Sequence, residues 1–290
     1  MKKLLSLLFV AALAAPVFAQ SAPELNTSNS HAKKFYMRGY ARPGGGGSAN
    51  LVYHSGGTVI RSAHVVYIFW GPSFQGSDSG YAGELQNFRD QFGTTKEYNT
   101  VTQYYGEDPV SGYGNIGTTN LKGQADWFDA SNPPVPVTDS DVQNEVKAYV
   151  ARFGVDYNTV YEVVLPSSTF SADGHSGSCG ATHPYRLAYC AYHSHYSDSS
   201  GNNVKYSIEP FPSCSGCSVS GWTAAQNQEH FITHETREAV TDALGNAWFD
   251  SQGYEADDKC AWSPSPFIGT GGYGYQYEWS NADSGCVKTK

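Results

Sequence analysis

Apolar and polar positions follow two different periods along this chain. Val65-Val66-Tyr67-Ile68-Phe69-Trp70 is an unbroken apolar, β-branched and aromatic run stopped by Gly71-Pro72, the pattern of a strand buried on both faces. From Tyr81 to Phe92 the period changes: Leu85, Phe88 and Phe92 recur at helical intervals. Thr138 to Phe153 does the same with Val142, Val146, Val150 and Phe153 behind a Thr-Asp start. Val160 to Pro166 predicts another strand, and Leu187–Tyr196 with Val204–Phe211 around Ser199-Ser200-Gly201-Asn202 predicts a hairpin. A last helix is predicted from Ala224, capped by Thr223 with Gln226 three residues on, to Leu244 before Gly245. Strands and helices mixed over one sheet predict an α+β fold in a single domain.

The ends and the composition bound where such a chain works. Lys2 and Lys3, an apolar stretch from Leu4 to Ala15, and Val17-Phe18-Ala19 read as a signal peptide over 1–19, cut after Ala19. That stretch falls short of the roughly 20 residues a membrane span needs, and the absence of a cysteine at the cut argues against a lipid anchor. Residues 20–50 carry Ser, Asn and Gly44–Gly47 with little apolar content, the composition of a flexible leader or short propeptide, so the packed domain is expected over 51–290. The chain has 18 basic and 27 acidic residues, a formal charge of −9, and cleavage removes two of the lysines. An acidic surface of this kind excludes nucleic acid and anionic lipid as partners. Six cysteines in a secreted or periplasmic protein read as up to three disulfides, expected in sequence order as Cys179–Cys190, Cys214–Cys217 and Cys260–Cys286.

Chemistry-bearing residues crowd into the last predicted helix. Its wheel places Phe231, Ile232, Ala239, Val240 and Ala243 on a buried face, Glu235 and Asp242 on the border, and His230, His234 and Glu238 along one wall of a cleft. A zinc hydrolase needs two ligands one helical turn apart and a carboxylate that takes a proton from metal-bound water. His234 and Glu238 meet the first requirement and Glu235 the second, with a glutamate where His-Glu-x-x-His has its second histidine. That oxygen donor adds negative charge and specifies the metal less tightly; one zinc is the expectation. Gly253-Tyr254-Glu255-Ala256-Asp257-Asp258 offers Glu255 or Asp258 as a third ligand ahead of Cys260. His230, one turn before His234, is the second choice for a ligand.

From His234 to Asp258 the string resembles the active-site stretch of thermolysin-like metallopeptidases: His234-Glu235, then Ala239-Val240-Thr241-Asp242, then a Gly followed by an acidic ligand. The likeness covers about 25 residues. A broader one runs through Tyr53-His54-Ser55-Gly56, the strand ending Trp70-Gly71, Cys179-Gly180 with His183, and Cys214-x-x-Cys217, which look like the exordium or phosphate-induced family of secreted proteins. That resemblance implies an extracellular protein linked to growth and cell-wall processes, with no established catalysis, so the metal reading rests on this chain's own residues.

Competing readings attach to the same residues. Charged residues on a helix commonly form a solvated face, with Arg237 near Thr233 or Glu238. His193 and His195 share one face of the predicted hairpin strand and offer a second ion site, or simply surface packing. The Gly- and Tyr-rich Gly269–Tyr277 suits stacking on a sugar polymer. The sequence therefore predicts a secreted metallopeptidase-like hydrolase acting on extracellular protein or peptide. The alternative is a non-catalytic protein binding cell-wall polysaccharide or a protein partner.

Overall fold

The computed structural model describes residues 31–40 and 49–290, so the expected signal peptide lies outside the described residues. Six strands form the main sheet: β1 (Lys33–Tyr36), β2 (His64–Trp70), β3 (Trp127–Asp129), β4 (Thr159–Val164), β5 (Tyr189–Ser197) and β6 (Asn203–Glu209). Their spatial order is β1-β5-β6-β4-β2-β3. β1, β5 and β6 pair antiparallel, whereas β6, β4, β2 and β3 run parallel, making a mixed sheet. Helices cover both faces, as an α+β chain requires: α2 (Asp139–Phe153) on one, α1 (Ser79–Phe92) and α3 (Ala224–Thr241) on the other.

Both caps expected from sequence form. The Thr138 hydroxyl accepts from the Asp141 amide and Asp141 answers the Thr138 amide; Thr223 and Gln226 do the same for α3. Alternation along the parallel strands then splits the core. Val66, Ile68, Tyr161 and Val163 meet Val142, Val146 and Tyr149 of α2, while Val65, Tyr67, Phe69 and Val160 meet Leu85, Phe88, Ile232 and Val240.

The face beneath α3 departs from the all-apolar strand pattern. Lys33 of β1, His193 of β5, Ser207 of β6, Glu162 of β4 and Tyr67 of β2 stand in register as one row across five strands. All but Lys33 are buried. Glu162 interrupts a run that otherwise reads as hydrophobic, and one of its oxygens accepts from the Thr236 hydroxyl above it at 2.6 Å. α3 therefore has a polar underside to match.

Two expectations are corrected. Residues 33–36, assigned to a flexible leader, form the edge strand β1, with Phe35 fully buried, because β5 supplies a pairing edge more than 150 residues away in sequence. The disulfides join Cys179 to Cys214 and Cys190 to Cys217, leaving Cys260–Cys286 as expected. The segment after β6 folds back so that its short turn, Ser215–Cys217, meets β5 and the loop before it; one cysteine of the Cys-x-x-Cys pair reaches each. With its two cysteines in different bridges, the pair is neither a redox couple nor a zinc knuckle. Three disulfides match an oxidising compartment. No helix among the described residues is long and apolar enough to cross a membrane.

Candidate metal centre

α3 is not a cleft wall. From Asn227 to Thr241 every residue is buried, because α1, the sheet and Gly274–Tyr275 surround the helix. Gly274 permits that approach: a Cβ there would stand 2.0 Å from the Gln226 carbonyl oxygen, and its amide donates to Glu229 Oε2 at 2.7 Å. Nor is the polar stripe a solvated face. The Arg237 guanidinium binds Asp257, donates to the Glu97 and Gln276 carbonyls, and stands 3.5 Å from Glu278. Burial of all three side chains makes this a core anchor that holds the segment after Gly253 against α3.

That anchor delivers the third-ligand candidates. Asp258 donates its amide to Glu238 Oε1 at 2.8 Å, and Cys260–Cys286 ties down the following turn. Asp258 Oδ1 comes to 4.0 Å from His234 Nε2, and Glu238 Oε2 lies 3.2 Å from the same nitrogen. His234, Glu238 and Asp258 each bring one ligand atom within 4.8 Å of the others. Glu255 goes to the other side, 3.6 Å from His193 Nε2.

His193, offered by the sequence as half of a second ion site with His195 or as surface packing, is buried beneath α3. Its Nδ1 lies 2.9 Å from Glu235 Oε2 and 3.9 Å from Glu238 Oε2, so His193, Glu235 and Glu238 make a second group of potential ligands within 4.8 Å. His195, its expected companion, lies instead against His31, with ring centroids 4.9 Å apart. Strand alternation puts His193 on the α3 side; what was missing was that β5 lies under the helix. His230 does not join either group. Its Nε2 meets Gln276 Oε1 at 3.0 Å, and its ring stands edge-on to Trp262.

Gln276 sets the protonation pattern. Its amide nitrogen donates to the carbonyl and Oδ1 of Asp257, which turns its oxygen toward both histidines. His234 Nδ1–H donates to that oxygen at 3.3 Å, so Nε2 carries the lone pair. Burial holds His234 neutral by pushing its pKa well below that of an exposed histidine. Burial also pushes the Glu238 and Glu235 carboxyls well above the usual range, reinforced at Glu238 by Asp258 and Glu255 and eased at Glu235 by His193. His234 Nε2, His193 Nε2 and Glu235 Oε1 are buried without a hydrogen-bond partner. Lys33 Nζ reaches Glu255 at 3.9 Å. The buried, unpartnered His234 Nε2 and Glu235 Oε1, beside Glu238 and Asp258, form a donor set that fits a divalent cation once the carboxyls ionise.

Stacked rings close the site. Phe35 lies on His234 at 4.3 Å between centroids and 24° between planes, and Trp262 lies on Phe35 at 5.1 Å and 16°. The Gly- and Tyr-rich loop is partly core: Tyr275 is buried against Phe88 and Phe92, leaving less of it to stack a sugar. No family model, curated protein or solved structure matches the chain.

Proposed function

We propose that the protein is a secreted metal-dependent hydrolase, most simply a zinc peptidase, with His234, Glu238 and Asp258 as ligands and Glu235 as general base. The carrying observation is the 3.2 Å approach of His234 Nε2 to Glu238 Oε2 while the imidazole proton is committed to Gln276. With Glu238 ionised, two acceptors face each other there, and Asp258 Oδ1 stands 4.0 Å away; ligand atoms on one tetrahedral zinc lie about 3.3 Å apart.

A zinc ion held there supplies a Lewis acid that lowers the pKa of water toward about 7. Glu235 adjoins the ligands. One of its oxygens accepts from His193 and the other has no hydrogen-bond partner, so it can accept the proton of an attacking water. The same carboxyl can return the proton to a leaving amine. His193 acts as a positioning residue through Glu235. Glu235→Gln is expected to abolish peptide hydrolysis while zinc content stays unchanged; full activity in that variant would remove the assigned role.

The second reading is a non-catalytic, exordium-like extracellular protein that binds wall glycan or a protein partner, any metal being structural. Closure of the site favours it, since His234 and Glu235 have no exposed surface. Glycan-array binding with no cleavage of casein or peptide libraries, in protein whose site is open, would establish it.

A further inference from the structure

We propose that the outer edge of β5 above α3 is a binding site for an extended peptide carrying an aromatic side chain, and that β1 is its resident occupant, so the folded chain is latent. The substrate class extends the hydrolase reading and rests on it; the strand-binding edge does not.

The argument begins with register. Lys33 pairs with His193, Lys34 with Tyr192 and Phe35 with Ala191, antiparallel, so β1 adds one strand to the sheet directly beside the cluster. Successive side chains of a strand face opposite ways, and here the alternation has a consequence. Lys33 and Phe35 point at the candidate centre, the first toward Glu255 at 3.9 Å and the second onto the ring of His234. Lys34 points the other way, into an ion pair with Asp173 at 2.6 Å.

The remaining contacts are those of a docked peptide. Trp262 covers Phe35 from the far side and donates its indole N–H to the Tyr36 carbonyl at 2.8 Å. Past the strand, the Met37 amide donates to the Ala188 carbonyl at 3.1 Å. Backbone pairing supplies sequence-independent affinity, and the aromatic slot between His234 and Trp262, with Glu255 facing the position of Lys33, supplies the preference. Without β1 the ligand nitrogen of His234 has its covering ring removed and β5 has an open edge. A peptide laid on that edge passes the face of His234 where Phe35 now sits. In sequence, Gly44–Gly47 lies between β1 and the rest of the chain.

The test uses the full mature chain with a site-specific protease sequence inserted within Gly44–Gly47. Uncut and cut protein are compared for binding of a fluorescent peptide with the sequence of residues 31–38, in mild denaturant below the unfolding transition, and for zinc content. Expected are no uptake by uncut protein, saturable uptake after cutting, and about 100-fold weaker competition by the same peptide with Phe35→Ala, the cost of emptying a buried aromatic slot. Cut protein that retains its own strand and rejects the peptide, or uncut protein that binds it equally, overturns the proposal and makes β1 a permanent strand. Peptide uptake without zinc keeps the strand site and removes the hydrolase reading; zinc without uptake does the reverse. When both succeed, hydrolysis of aromatic-containing peptides is expected after cutting and not before.

Discussion

His234 reaches Glu238 with its proton-free nitrogen because Gln276 Oε1 accepts a hydrogen bond from Nδ1–H on the other side of the ring. The Gln276 amide is itself oriented by Asp257, which is bound by Arg237. A chain of buried polar contacts therefore runs from a structural ion pair to the tautomer of a candidate ligand. Fixing the tautomer through a second hydrogen bond is how histidine ligands are ordinarily aimed at a metal.

Gln276→Leu removes the acceptor and leaves the ring free to choose either tautomer. The expected result is zinc affinity lower by about 10- to 100-fold in competition with a chromophoric chelator. Near-UV circular dichroism should stay unchanged, which separates a positioning effect from loss of the fold.

Arg237→Met tests the anchor. It strands Asp257 and Glu278 without their guanidinium, and breaking a buried pair of this kind costs about 3–5 kcal/mol. Urea denaturation should show that loss, whereas a change within ~0.5 kcal/mol would place the pair on a solvated surface after all.

Acidity should stabilise the α2 side of the molecule. Burial, with Asp129 adding to it, pushes the Glu145 carboxyl up to about 8. The folded state therefore holds this proton more tightly than the unfolded chain, so the contribution is full below the ordinary glutamate range and is lost as pH rises toward 8. Glu145→Gln should flatten that part of the stability profile and gain most over wild type at alkaline pH. An unchanged slope between pH 5 and about 8 would contradict the assignment.

Non-reducing peptide mapping should recover Cys179 with Cys214 and Cys190 with Cys217. Cys190→Ser should leave Cys217 as the reactive thiol, and recovery of a Cys214–Cys217 peptide would contradict the fold around β5.

Local signals in the sequence carried far, and distant ones did not. The Thr223–Gln226 box and the spacing of His234, Glu235 and Glu238 lie within one helix, so helical geometry alone places them. That Asp258 stands beside His234 and Glu255 beside His193 depends on the turn pinned by Arg237 and Asp257. His193 was visible as a strand histidine, but its meeting with Glu235 depends on sheet order, which no local pattern encodes. β1 was missed for the same reason: Lys-Lys-Phe-Tyr is four residues in a polar leader, and its burial comes from β5 and Trp262. The expectation of a helix with a wet face failed because Glu162, His193 and Glu209 supply polar partners inside the core.

Metal content of the purified mature protein, by elemental analysis of wild type beside His234→Ala and Glu238→Ala, tests the central claim most directly. The account predicts close to one zinc per chain in wild type and its loss in both variants, with the fold retained by circular dichroism. Wild-type protein that takes up no metal when zinc is offered at neutral pH would contradict it, and the buried carboxyls would then be held by protons alone.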